Sequence, residues 1–284
     1  TRPLVIAIAL MLATPTFADV VTIVDGQIVT TQQTPDGDDT IVIEAGGTLT
    51  VGGGLDAIKA DGPNNIITNS GTIKATTNPG IFSQGTNATI TNSGIIDAGD
   101  DGIFSVGANA IITNSGTIDA GGEGIFSFGV NAIITNSGII DAGDEGIHAV
   151  GANAIINNSG HITSTTSDGI ESTGDDAIIT NSGTITAGDT GINSTGDDAI
   201  ITNSGSITAG NDGILLLGAN NAAVTNSGTI TAADIGIFSN SANATITNSG
   251  TITSTGDEGD GIQSFGVNAI ITNSGTITAG DIAE

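Results

Sequence analysis

Residues 109–130 read NAIITNSGTIDAGGEGIFSFGV, and similar stretches follow one another along most of the chain. The triplet Asn-Ser-Gly marks the repeat, and its successive copies begin 22 to 25 residues apart. A fixed period of this length is typical of solenoids, in which each repeat forms one coil and stacks on its neighbours. The asparagines of the triplet are Asn69, Asn92, Asn114, Asn136, Asn158, Asn181, Asn203, Asn226, Asn248 and Asn273.

Each repeat contains three short runs that favour strands, represented by residues 110–113, 117–120 and 124–128. Runs of four or five residues with β-branched content, bounded by Gly, Asn and Asp, are too short for helices and indicate strands separated by turns. We therefore predict an all-β fold. It is a right-handed parallel β-helix, or solenoid, of about ten coils, with about 22 residues and three short strands per coil.

Three positions of the repeat hold isoleucine in nearly every copy, as Ile112, Ile118 and Ile125 do in the quoted stretch. Positions that stay apolar while their neighbours vary are expected to face the core. Each buried isoleucine contributes roughly 1.5–3 kcal/mol. The three columns therefore predict a core that continues along the stack and is stable in a chain without cysteine.

The first residues have the features of a secretory signal peptide. An apolar run at 4–12 follows Arg2, and a small-x-small pattern at 16–18 precedes Asp19. The run is far shorter than the roughly 20 residues of a membrane-spanning helix. We predict a signal peptide at 1–18 whose start lies upstream, an N-terminal cap and first coil at 19–63, and a repetitive β-helix at 64–284 that ends part-way through a coil.

The composition argues against several classes of function. Thirty acidic residues face three basic ones, a net charge of -27, whereas nucleic acids and anionic membranes attract basic clusters. The chain has two histidines, no Tyr and no Trp, and its paired carboxylates recur as ordinary turn residues. We therefore predict no nucleic-acid partner, no catalytic residue and no cofactor, and a carbohydrate-active β-helix enzyme is the least favoured alternative.

Acidic residues recur in the second turn of the repeat. Calcium takes several oxygen ligands, but Phe126 occupies a position where a calcium-binding nonapeptide repeat has aspartate. We predict a solvated acidic ridge and no metal site, with calcium binding left as the alternative. The acids are Asp100, Asp101, Glu123, Asp144, Glu145, Asp168, Asp189 and Asp212.

The asparagine of each Asn-Ser-Gly triplet is predicted to be structural. Asparagine tolerates the left-handed backbone conformation that tight turns require. Stacked asparagine side chains can also hydrogen-bond along the axis as a ladder. We expect both properties at this position.

The third strand carries six of the seven phenylalanines, at positions predicted to point outward into water. A contiguous apolar stripe of this kind usually marks a contact surface. The alternative is that a flanking segment covers it. This apolar stripe consists of Phe82, Phe104, Val106, Phe126, Phe128 and Val150.

An exported, cysteine-free chain built on coils such as 111–121 (IITNSGTIDAG) and 270–280 (IITNSGTITAG) resembles the passenger region of bacterial autotransporters. The resemblance covers residues 40–284. It implies display at the cell surface and a C-terminal barrel in the outer membrane, for which this chain has no Tyr or Trp girdle. We therefore expect a structural or adhesin-like rod of a Gram-negative bacterium that binds a host surface protein or glycan, or associates with itself.

An ice-binding solenoid is the alternative from another class of function. Thr-x-Thr pairs recur late in the chain, at 184/186, 229/231, 251/253 and 276/278. A flat and regular threonine array is what an ice-binding surface needs. The earlier coils carry Lys74, Asp97, Asp119 and Asp141 at the corresponding positions, which argues against this function.

Overall fold

A computed structural model describes residues 18–218, 220–257 and 259–280. These residues form only β-strands, turns and loops, and they fold as a parallel β-solenoid. The predicted fold class is therefore confirmed. No helix in this part of the chain has the length and hydropathy needed to cross a membrane. The signal peptide predicted at 1–18 lies outside the described residues, apart from Ala18.

Sheet 1 contains the first strand of every coil, and its strands pair in parallel from one coil to the next. In order along the sheet they are β1 (Val20–Ile23), β3 (Thr40–Ile43), β6 (Ile66–Asn69), β9 (Thr89–Asn92), β12 (Ile111–Asn114), β15 (Ile133–Asn136), β18 (Ile155–Asn158), β21 (Ile178–Asn181), β24 (Ile200–Asn203), β27 (Ala223–Asn226), β30 (Thr245–Asn248) and β33 (Ile270–Asn273).

Sheet 2 contains the second strand of every coil and is also parallel throughout. Its strands are β2 (Ile28–Val29), β4 (Thr48–Val51), β7 (Thr72–Ala75), β10 (Ile95–Ala98), β13 (Thr117–Ala120), β16 (Ile139–Ala142), β19 (His161–Ser164), β22 (Thr184–Ala187), β25 (Ser206–Ala209), β28 (Thr229–Ala232), β31 (Thr251–Ser254) and β34 (Thr276–Thr278).

Sheet 3 contains the third strand, which is three residues long in each coil. Its strands are β5 (Ile58–Ala60), β8 (Ile81–Ser83), β11 (Ile103–Ser105), β14 (Ile125–Ser127), β17 (Ile147–Ala149), β20 (Ile170–Ser172), β23 (Ile192–Ser194), β26 (Ile214–Leu216), β29 (Ile237–Ser239) and β32 (Ile262–Ser264).

The solenoid has more coils than the repeat count predicts. Among the described residues, sheets 1 and 2 each have 12 strands and sheet 3 has 10, against the expected total of about ten coils. The difference arises because the prediction counted Asn-Ser-Gly triplets. Strands β1 and β3 precede the first triplet but belong to the same sheet: β1 pairs with β3, and β3 pairs with β6, with Ile41 opposite Ile67. The segment 19–63 therefore contributes strands β1 to β5.

The three isoleucine columns form the core, as predicted. Ile112, Ile118 and Ile125 are all fully buried. Each pairs with the isoleucine of the next coil, so that like side chains stack directly on one another. This register keeps the apolar contacts continuous along the whole rod.

A column of buried serines lies beside the isoleucines of sheet 3, and the sequence analysis did not predict it. Residues one and three of each short strand face inward because successive side chains alternate across a strand. Ser105 is fully buried, and its hydroxyl has no hydrogen-bond partner. The same is true of Ser83, Ser127, Ser172 and Ser194. Serine predominates in this column although its hydroxyl is unsatisfied, and Ala149 and the fully buried Leu216 occupy the same column in other coils.

The left-handed turn residues are not the asparagines of the triplet, so that expectation is wrong. Left-handed φ angles occur instead at the Asn or Asp two residues before each strand of sheet 1 from β3 onward, such as Asn109 with φ 61° and Asp176 with φ 58°. This position closes the third turn of each coil. The full set is Asp38, Asn64, Asn87, Asn109, Asn131, Asn153, Asp176, Asp198, Asn221, Asn243 and Asn268.

Candidate functional site on the outer face of sheet 3

Phenylalanine rings stack on the outer face of sheet 3. The rings of Phe82 and Phe104 have centroids 5.1 Å apart, and those of Phe104 and Phe126 are stacked at 4.8 Å. These separations match the spacing of about 4.8 Å between neighbouring strands. In-register pairing of β8, β11 and β14 therefore holds the three rings in contact.

A second row of apolar side chains runs beside the stacked rings, just after each strand of sheet 3. Phe128 is 54% exposed and packs edge-on against Phe126, with centroids 6.4 Å apart. Val106 is 37% exposed, and Val150 is half-buried. The structure thus brings all six residues of the apolar stripe to one face. Its stacked rings are half-buried and not fully in water as expected, because each ring covers its neighbours.

The ring column ends at His148. Its imidazole stacks on Phe126 with centroids 4.8 Å apart, and the next residues in the column are Glu171 and Asn193. The outer face of sheet 3 therefore changes from apolar to charged within one coil. The repeat pattern places His148 at an outward position of this strand, and the structure adds its stacking on Phe126.

Three glutamates surround His148, and we call these four residues the His148 cluster. Nδ1 of His148 lies 3.8 Å from Oε1 of Glu123, and Nε2 lies 3.4 Å from Oε2 of Glu171. Glu145 completes the cluster: Glu123, Glu145 and His148 each place one potential ligand atom within 4.8 Å of the other two. The side chains of Glu123, His148 and Glu171 are 18–22% exposed.

The charges of the cluster shift one another's protonation. Burial acts to lower the pKa of His148, but the carboxylates of Glu123, Glu171 and Glu145 outweigh burial and raise that pKa. The imidazole in turn lowers the pKa of Glu123. Burial raises the pKa of Glu171. The carboxylates of the cluster therefore favour the protonated form of His148.

The prediction of a solvated acidic ridge is wrong for three of its members. Asp101, Asp168 and Asp212 are 5–7% exposed. Each accepts a hydrogen bond from the backbone N–H of a residue in the next coil, namely Glu123, Thr190 and Ile235. Burial raises the pKa of all three carboxyl groups. These aspartates act as structural acceptors, while Asp100, Asp144 and Asp189 are exposed.

The Asn-Ser-Gly asparagines form a hydrogen-bonded ladder inside the rod. Asn136 is fully buried, accepts a hydrogen bond from Nδ2 of Asn114 at 2.8 Å, and donates one to Oδ1 of Asn158 at 2.8 Å. The same bond, at 2.7–2.8 Å, links every pair of neighbouring triplets from Asn69 to Asn273. From Asn69 to Asn273 the ladder joins each coil to the next by a side-chain bond in addition to the backbone bonds of the sheets.

A second asparagine ladder, which the sequence analysis missed, lies on the surface at the left-handed turn residues. Asn131, for example, donates to Oδ1 of Asn109 at 2.9 Å. This ladder runs in the opposite direction, because the later coil donates to the earlier one. It is interrupted at Asp176 and Asp198, whose carboxylates have no N–H to donate. The recurring Asn or Asp before each first strand was the available sequence signal.

Threonines on the outer face of sheet 2 align only in the later coils. Thr186, Thr208, Thr231 and Thr253 stack in register. Earlier in the same column Lys74 forms an ion pair with Asp97. The regular array that an ice-binding surface needs therefore covers only part of this face.

Comparison of the chain with protein-family models, with curated proteins and with solved structures finds no match. The class of the protein is defined by its fold: it is a parallel β-solenoid with a buried asparagine ladder and an apolar stripe on one outer face.

Proposed function

We propose that this chain is a non-enzymatic structural rod, exported and displayed at the cell surface as autotransporter passengers are, that presents the apolar stripe to a protein partner. The observation that supports this function best is the unbroken parallel stacking of 12 strands in sheets 1 and 2, with stacked aromatic rings on the outside of sheet 3. A repetitive rod holds a surface patch at a fixed distance from its base.

The stacking makes the rod stiff. Neighbouring coils are joined by backbone bonds between parallel strands and by the stacked apolar side chains of the core, and from Asn69 to Asn273 also by the buried asparagine ladder. Bending would strain all of these contacts together. At about 4.8 Å per coil, 12 coils extend over roughly 50 Å.

The stripe is suited to contact because its rings are already ordered. Phe104, Phe126 and Phe128 hold one another in place, so binding costs little side-chain entropy. Burial of apolar area in a contact contributes roughly 25 cal/mol per Å². Aromatic residues in rigid settings are frequent at the centres of protein interfaces.

The charge of the chain favours one of the candidate partners. A second copy of the chain carries the same net charge of -27 and is repelled. The acidic His148 cluster, at the end of the stripe, would likewise repel an anionic surface. A protein surface with an apolar centre and a basic rim complements both features. We therefore favour such a protein over self-association and over a neutral glycan.

Replacing Phe104, Phe126 and Phe128 together by threonine is expected to reduce adhesion at least tenfold while the rod remains folded. The matched control is the triple change Ile111→Thr, Ile133→Thr and Ile178→Thr, which removes exposed apolar side chains from sheet 1. Adhesion is measured as retention of protein-coated beads on epithelial monolayers. Far-UV circular dichroism checks the fold.

Three outcomes would contradict parts of this proposal. Equal retention of the stripe variant and the native chain excludes the stripe as the contact surface. Loss of retention after glycosidase treatment of the cells, but not after protease treatment, identifies a glycan as the partner. Association of the native rods in sedimentation velocity, abolished by the stripe variant, identifies a second copy.

A further inference from the structure

We propose that Glu123, Glu145 and His148 form a binding site for a divalent transition-metal ion, with zinc the best match. Glu145 and His148 flank the start of β17, while Glu123 occupies the position of Glu145 one coil earlier. The three residues therefore meet through the stacking of two coils and not through a local motif. This is why spacing along the sequence did not reveal the site.

The distances between the ligand atoms of Glu123, Glu145 and His148 fit a metal ion bound between them better than they fit direct hydrogen bonds. Nδ1 of His148 is 3.8 Å from Oε1 of Glu123, which is too long for a hydrogen bond. Zinc binds nitrogen and oxygen at about 2.0–2.2 Å, which places tetrahedral ligand atoms roughly 3.3–3.6 Å apart. The three ligand atoms already lie within 4.8 Å of one another. Small side-chain rotations would bring them to that geometry.

A second observation points to a missing ligand. Nδ1 of His148 is shielded from solvent and has no hydrogen-bond partner. Buried polar atoms are nearly always satisfied, so an unpartnered one requires an explanation. The carboxylate of Glu123 lies 3.8 Å from this nitrogen, and Glu145 belongs to the same group of potential ligands. A metal ion bound there would satisfy it.

The residue choice in these two coils also departs from the repeat. The position before the glycine that leads into sheet 3 holds aspartate in four coils, at Asp101, Asp168, Asp212 and Asp260. The first three of these turn inward to accept backbone N–H bonds. Glutamate occurs at this position only at Glu145, which leads into the strand that contains His148, and at Glu123 one coil earlier. The longer side chains allow these two carboxylates to reach the imidazole.

The donor set selects the kind of ion. One imidazole nitrogen and two carboxylates are typical of zinc and similar transition metals. Calcium prefers six to eight oxygen ligands, which this set does not provide. Glu171, with Oε2 3.4 Å from Nε2, is placed to hold the imidazole with its proton on that nitrogen and Nδ1 free to bind. Three protein ligands leave one coordination position open.

The test is a calorimetric titration of the untagged chain with zinc chloride. We expect one equivalent to bind at micromolar concentration and to raise the melting temperature. Separate substitutions His148→Asn and Glu123→Gln should each weaken binding at least tenfold and abolish the zinc-dependent rise in melting temperature. Asparagine occupies the same column at Asn193, so the fold accepts it.

The matched control is His161→Asn on the outer face of sheet 2, which should bind zinc as the native chain does. Cobalt should give the visible absorption of a four-coordinate site in the native chain and not in His148→Asn. The proposal is overturned if zinc does not bind at 1 mM, if several equivalents bind equally to all variants, or if calcium binds the same residues more tightly than zinc.

Discussion

Replacing Gly116 with alanine is expected to lower the free energy of unfolding by about 3 kcal/mol, at the upper end of the cost of overpacking. A Cβ at Gly116 would lie 2.1 Å from the carbonyl oxygen of Gly94 in the preceding coil. The Cβ is fixed to the backbone of Gly116, and the oxygen belongs to the backbone of Gly94. A side-chain rotation therefore cannot relieve the contact. Glycine is needed here because the coils lie too close together for a side chain. A left-handed backbone conformation is not the reason, since Gly116 does not have a left-handed φ.

The control for this change is Gly52→Ala. A Cβ at Gly52 would meet nothing closer than Oγ1 of Thr76 at 3.5 Å, and alanine there should be neutral or stabilise by up to about 1 kcal/mol. Urea denaturation followed by circular dichroism measures both variants. If Gly116→Ala unfolds at the same urea concentration as the native chain, the coils are not packed as closely as described.

Replacing Asn136 with alanine is expected to cost about 2–3 kcal/mol. The change leaves the buried Oδ1 of Asn158 without its donor and removes the acceptor of Asn114. A buried polar group that loses its partner costs about 1–3 kcal/mol. Nδ2 of Asn114 keeps a bond to the carbonyl oxygen of Ile139 at 3.1 Å, so most of the loss falls on Asn158.

The matched substitution is Asn211→Ala, at an exposed turn residue. It should change the free energy of unfolding by less than about 0.5 kcal/mol, as surface substitutions generally do. The two variants are compared by urea denaturation. Equal midpoints for Asn136→Ala and Asn211→Ala would mean that the ladder does not stabilise the rod.

The isoleucine columns and the asparagine column could be predicted from the sequence because the repeat supplies many copies of each position. The positions of Ile118 and Asn136 hold the same residue type in one repeat after another. Burial in the core explains why a column of isoleucines is retained among variable neighbours. The same comparison identified the residues of the apolar stripe. The comparison of repeats did not identify the first coils, because strands β1 and β3 are not followed by an Asn-Ser-Gly triplet.

Other features could not be predicted because they depend on contacts between coils. The burial of Asp101 depends on a backbone N–H of the next coil. Which of the two columns adopts the left-handed conformation depends on how each turn closes, and residues that tolerate this conformation recur in both columns. The His148 cluster combines residues of three coils, so no single repeat contains it.

Each repeat adds one coil to the stack, so distances along the rod increase with the number of repeats. Electron–electron distances between spin labels measure this increase, because the chain has no cysteine and accepts labels only at introduced ones. Asp119, Thr208 and Thr253 lie in one outward column of sheet 2.

Paired cysteines at 119 and 208 should report a separation of about 19 Å, and those at 119 and 253 about 29 Å, with narrow distributions, since each coil adds about 4.8 Å. Broad distributions, or separations that do not increase with the number of coils between the labels, would contradict the rod.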